Sequence, residues 1–79
     1  MKITEGFVAL VTGGASGLGE ATVRMLHSKG ARIAILDMND DKLEQMKSDL
    51  GSKVLCIKCD VTQESEVRDA VNLCINTFG

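Results

Sequence analysis

Phe7-Val8-Ala9-Leu10-Val11-Thr12-Gly13-Gly14-Ala15-Ser16-Gly17-Leu18-Gly19 is the stretch on which the reading of this chain turns. Its first five residues are continuously apolar, as in a strand covered on both faces of a parallel sheet. Residues 12–17 are small and Gly-rich, which reads as a tight loop. From Leu18 the spacing becomes helical: Leu18, Ala21, Thr22, Met25 and Leu26 share one stripe, and Gly30 closes the helix. A strand that passes through such a loop into a helix brings free backbone N–H groups and the positive end of the helix dipole to one point. That point suits an anion. Small residues let a phosphate come close to the main chain, and Ser16 adds a hydroxyl donor.

The glycine spacing separates the phosphate-binding loops. A P-loop needs Lys after its last glycine, and Glu20 follows Gly19, so a triphosphate would meet a carboxylate. The dinucleotide pattern with its third glycine three residues on fails at Thr22. What stands is Gly-x-x-x-Gly-x-Gly on Gly13, Gly17 and Gly19, preceded by Thr12. A plain strand-to-helix turn is the alternative, but it needs only one glycine, and three are costly in backbone entropy.

Two similar cycles follow. Ile33-Ala34-Ile35-Leu36 reads as a second strand ending at Asp37. Asn39 or Asp40 then caps a helix with Leu43, Met46 and Leu50 on its buried side, and Gly51 ends it. Val54-Leu55-Cys56-Ile57 reads as a third strand, with Asp60 beyond it and Thr62 as N-cap of a third helix. Val67, Ala70, Val71, Cys74, Ile75 and Phe78 form that helix's apolar stripe. Strands alternating with helices predict an α/β fold with parallel strands and right-handed crossovers. The expected order is 3-2-1, a Rossmann-type half with three strands and three helices that stops before strand four. Helices one and two should cover one face and helix three the other.

Composition narrows the function classes. The 79 residues carry 9 Lys+Arg against 11 Asp+Glu, a net charge of -2, which argues against a nucleic-acid partner. No apolar run approaches the roughly 20 residues that span a bilayer. The N-terminal residues lack the features of a secretory or transit signal, so an intracellular protein is expected, cytoplasmic or mitochondrial. Three cysteines and one histidine supply neither a disulfide framework nor a zinc cage. Cys56-Ile57-Lys58-Cys59 spells C-x-x-C. It lies along a strand, however, where residues three apart point to opposite faces, so the thiols read as small core groups. His27, near the end of the first helix, reads as structural or solvent-facing. The charges of residues 40–47 read as the wet face of a helix.

Asp37 ends the second strand, 18 positions after Gly19. A carboxylate there can accept both hydroxyls of an adenosine ribose, and it would repel the additional phosphate of NADP. No Lys or Arg follows Asp37 until Lys42, which favours NAD over NADP. Asp60 occupies the matching place after strand three. It could receive the adenine amino group while Val61 presents backbone groups and an apolar face to the ring. Helix capping alone is the alternative for Asp60 and Thr62.

Together, Thr12-Gly13-x-x-x-Gly17-x-Gly19, Asp37 and Asp60-Val61 resemble the cofactor half of the short-chain dehydrogenase/reductase family, over residues 6–79. The resemblance implies that Ser16, Leu18, Asp37, Asp60 and Val61 contact NAD, with Gly13, Gly17 and Gly19 shaping the loop. Within the family, the likeness points to enzymes of hydroxyacyl and hydroxysteroid type, and so to oxidation of a secondary alcohol with NAD. The family's Ser, Tyr and Lys act together, the last two in a Tyr-x-x-x-Lys motif. This chain has no Tyr, so no catalytic residue is assigned and the chain alone is expected to be inactive. The expected domain is residues 1–79, a dinucleotide-binding portion. Its expected partners are NAD and either the missing half of the sheet or a second copy. The alternative function is a non-catalytic module that associates through its open sheet edge.

Overall fold

The computed structural model describes residues 7–15 and 17–79. Strand β1 is Val8–Thr12, helix α1 Gly17–Ser28, strand β2 Arg32–Asp37, helix α2 Asp40–Leu50, strand β3 Val54–Lys58 and helix α3 Glu64–Phe78; a short 3-10 turn, Gly51–Lys53, precedes β3. The three strands are parallel in the order β1-β2-β3. This is the expected 3-2-1 arrangement. Register aligns Leu10 with Ala34 and Ile35 with Cys56, so the carboxyl ends of all three strands meet at one edge.

The centre of the core is β2. It bonds to a strand on each side, and Ile33, Ala34, Ile35 and Leu36 are all fully buried. Burying a large aliphatic side chain contributes about 1.5–3 kcal/mol, so this one strand anchors both layers. On one face Ile33 and Ile35 pack with Val23 of α1 and with Leu43 and Met46 of α2. On the other, Ala34 and Leu36 pack with Cys59 and with Ala70 and Cys74 of α3. Helix three therefore does cross to the opposite face.

Strand β1 departs from its sequence reading. Its apolar run suggests cover on both sides, yet Val8 and Leu10 are each 38% exposed. Leu10 is aligned with Ala34, which faces α3, and α3 leaves this part of the sheet open. The stripes on α1 and α3 shift for related reasons. Leu18, at 85% exposed, and Met25 point away from the sheet, while Val23 is the buried residue of α1. The helix is rolled because Gly19, not a larger residue, sits against the loop. On α3, Ala70 and Cys74 are buried, with Val67 and Phe78 beside them, whereas Val71 and Ile75 are exposed.

Cap chemistry sets the helix ends. The Asn39 side chain accepts the Lys42 N–H at 3.1 Å, so Asn39 is the N-cap of α2. Thr62 is not the N-cap of α3. Gln63 holds that position without a side-chain bond, because the Thr62 hydroxyl turns back to Asp60 at 2.6 Å. His27 is structural: its Nε2 lies 3.0 Å from the Leu50 carbonyl and, facing an acceptor, carries the proton. Arg24 also ties α1 to α2, donating to Glu20 and Asp49, each at 2.9 Å. The C-x-x-C cysteines belong to opposite cores, Cys56 beside the α1–α2 cluster and Cys59 within the α3 cluster. All three cysteines are free, and burial pushes the Cys56 and Cys59 thiols up.

Candidate functional site

The glycine loop is built against the end of β2. The Gly13 N–H donates to the Leu36 carbonyl at 2.7 Å. Gly13 and Gly17 have φ of 64° and 56°, a left-handed backbone natural only to glycine. A Cβ placed on either would meet nothing within 4 Å, so both face open space. Gly19 is the opposite case. A Cβ there would collide with the Gly13 carbonyl oxygen, so only glycine lets α1 close onto the loop. The first N–H groups of α1, from Gly17 onward, have no acceptor within the helix and lie beside the open space. The loop thus has open space on one side and a close-packed joint on the other. Ser16 lies outside the described residues.

Asp37 stands where the loop meets the sheet. Its Oδ2 accepts the Ala15 N–H at 3.1 Å and its Oδ1 accepts the Asn39 N–H at 3.0 Å. Its own carbonyl accepts the Cys59 N–H at 3.0 Å, joining it to the end of β3. At the carboxyl ends of the strands lies a cleft of about 180 Å3 lined by Gly13, Leu36, Asp37, Met38, Cys59, Asp60 and Val61. Four residues singled out in the sequence, Gly13, Asp37, Asp60 and Val61, therefore converge on one cavity. Gly17, Leu18 and Gly19 lie on the first turn of α1 and are not among the residues that line it. Among the described residues, the cleft lining holds two carboxylates and no cation. Lys58, next to Asp37 in register, donates instead to Asp40 at 3.1 Å.

Asp60 serves a local turn. Its Oδ1 accepts both the Thr62 hydroxyl and the Thr62 N–H, at 2.6 and 2.9 Å, and these bonds hold its carboxyl below the usual range. Its N–H donates to Glu66 of α3 at 3.1 Å. Val61 is exposed at the rim.

Two contributors escape sequence reading. Met38 lines the cleft and is exposed; an apolar residue directly after the strand-end acid, with no helical or strand stripe to join, was the available signal. Ala15 is fully buried and contributes its backbone N–H, which no side-chain pattern marks. Among the described residues there is no group of three potential metal ligands, and no helix is long and apolar enough to cross a membrane.

Comparison with known proteins agrees with this geometry. The chain is 41% identical over 78 residues to tropinone reductase-like 2 of Erythroxylum coca, covering 99% of the chain and 28% of that protein. It is 44% identical over 79 residues to the mitochondrial borneol dehydrogenase of Lavandula x intermedia, covering all of the chain and 30% of that protein. A crystal structure of 3-ketoacyl-(acyl-carrier-protein) reductase from Brucella melitensis, complexed with NADH, superposes with a TM-score of 0.90 at 33% identity. That match covers 95% of this chain and 31% of that one. The chain thus spans about a third or less of these proteins. The narrower likeness to 3-hydroxyacyl-CoA dehydrogenase type 2 is not supported; the relatives in sequence include plant proteins of tropinone-reductase and borneol-dehydrogenase type. Residues 7–79 match the short chain dehydrogenase family, and the chain belongs to it.

Proposed function

We propose that this chain binds NAD as the cofactor portion of an oxidoreductase that interconverts a secondary alcohol and a ketone. The observation that carries the reading is the Asp37 carboxylate, fixed at the lip of a cleft that begins at the glycine loop. In this reading Ser16, Gly17, Leu18 and Gly19 take the pyrophosphate on the first turn of α1, while Gly13 lets it approach. Asp37 accepts the adenosine ribose hydroxyls, and Asp60 and Val61 flank the adenine. The open space at Gly13 and Gly17 fits a phosphate, because a side chain there would fill it. The bound nicotinamide would supply the hydride chemistry. The family's phenol is not among these 79 residues, which contain no Tyr, so the role assigned here is holding the cofactor.

NAD is preferred over NADP in this reading because the cleft lining is anionic and Lys58 is paired with Asp40. The relatives' names point to a small alcohol of terpenoid or alkaloid kind, or to an acyl substrate, and hydroxyacyl or hydroxysteroid substrates remain our proposal within that range. Exposed Val8 and Leu10 on the β1 edge support association with further polypeptide, either the rest of a dehydrogenase or a second copy. Light scattering across a dilution series reads that association. Three free cysteines support a reducing intracellular compartment, cytosol or mitochondrion.

Calorimetric titration of the folded chain with NAD and with NADP tests the proposal. Heat that saturates with NAD, and weaker binding of NADP, is the expected result. Absence of heat at millimolar NAD would remove the cofactor reading.

A further inference from the structure

We infer that Asp37 is also a positioning residue, a clasp that holds the glycine loop in its working shape before any ligand arrives. Ala15 is fully buried, so its N–H cannot turn to water, and a buried donor left without a partner is costly. The acceptor it finds is Oδ2 of Asp37, 22 residues away and across two strands. The Gly13 N–H is tied to the same strand end through Leu36. Together these two bonds fix both ends of the Gly13-Gly14-Ala15 turn to the end of β2. Gly14 in between has no room to move inward, since a Cβ on it would lie 2.9 Å from Ile35 Cγ2 and 3.1 Å from Val23 Cγ2.

The clasp works in both directions. The Ala15 and Asn39 N–H groups each hold one oxygen of the Asp37 carboxylate, and so fix its plane. A carboxylate has about four lone-pair sites, so both oxygens can still accept a hydroxyl. Ribose binding and loop clasping are therefore compatible, and one side chain shapes two subsites. A residue that only received the ribose would leave the phosphate subsite indifferent to its removal.

Two measurements test this, the second of which rests on the nucleotide reading above. In the ligand-free chain, amide hydrogen exchange is followed at Ala15 and at Ile35, which reports the core. In Asp37→Ala, Ala15 exchange should accelerate about ten-fold or more, the scale of a lost charged hydrogen bond, while Ile35 stays protected. Asp37→Asn, which keeps an acceptor oxygen, should fall between. Ala15 exchange that is unchanged, or that rises only in step with Ile35, would overturn the clasp.

The second measurement titrates ADP and 2′,3′-dideoxy-ADP, which lacks the ribose diol, into wild type and Asp37→Ala. The clasp predicts that Asp37→Ala weakens dideoxy-ADP several-fold as well as ADP. Equal affinity of both proteins for dideoxy-ADP would confine Asp37 to the ribose and overturn the inference. If neither nucleotide binds wild type, the cofactor reading fails, and the exchange experiment still decides the clasp.

Discussion

Asp37 and Asp60 occupy equivalent places, one after β2 and one after β3, and both line the same cleft. Their bonds differ in reach. Asp37 accepts from Ala15, far off in sequence, and so couples the first strand–helix unit to the second. Asp60 accepts from Thr62, two residues on, and its N–H meets Glu66 on the helix that follows. The first is a tertiary bond to a buried donor, and the second closes an exposed turn. The same residue type at the same topological position thus does different work. The difference comes from the loops: the β1–α1 loop reaches the Asp37 side chain at the end of β2, whereas the Asp60 side chain bonds only within its own β3–α3 turn.

The comparison can be broken most severely at its joint. Gly19→Ala puts a Cβ against the Gly13 carbonyl oxygen, and overpacking against backbone costs about 3 kcal/mol. That is a large part of the roughly 5–15 kcal/mol that holds a domain together, so urea unfolding should show a steep fall in midpoint. An unchanged midpoint would mean that α1 does not press on the loop. Gly17→Val should behave differently. Its left-handed φ makes the substitution cost about 1–2 kcal/mol, but the open space around it leaves the fold intact. NAD affinity should nevertheless be lost, because the branched side chain would fill the open space proposed to take the phosphate. Retained affinity would show that the pyrophosphate lies elsewhere.

Smaller effects sharpen the contrast between the two acids. Asp37→Ala should weaken NAD by about 1–3 kcal/mol, while the unpaired, buried Ala15 N–H loosens the loop and leaves the core intact. Titration reads the affinity and amide exchange at Ala15 against Ile35 reads the loop, and a loss of affinity with Ala15 exchange unchanged would count against the clasp. Asp60→Asn should have the smallest effect at neutral pH. Thr62 holds the folded Asp60 carboxyl below its ordinary range. Its contribution is therefore complete at neutral pH and is lost as pH falls through the lowered value. Wild type should lose more stability on acidification than Asp60→Asn, measured by urea unfolding at a series of pH values. Identical slopes would show that the Thr62 turn does not stabilise the fold.

Much of this arrangement is legible in the sequence. Alternating apolar runs and helical stripes give the three parallel strands and the sides on which the helices lie, because those features depend on local period and chain length. Glycine spacing and the strand-end acids identify the cleft, because ligand sites in open parallel sheets lie at the carboxyl ends of strands. What escapes is set by tertiary contact. The rotation of α1, which exposes Leu18 and Met25 and buries Val23, follows from the Gly19–Gly13 approach and not from hydrophobic period. The open face of β1 depends on how far α3 extends across the sheet. The cap of α3 moves from Thr62 to Gln63 because Asp60 offers the Thr62 hydroxyl a stronger, charged acceptor. The Ala15–Asp37 bond involves a backbone N–H, which carries no residue signature at all.

Titration of NAD into wild type, Asp37→Ala and Asp60→Ala, under one set of conditions, puts the account to its most direct test. NAD should bind wild type, with a large loss of affinity in Asp37→Ala and a distinctly smaller loss in Asp60→Ala. Equal losses in the two variants, or a greater loss from Asp60, would contradict the assignment of Asp37 as the residue that joins the glycine loop to the ribose.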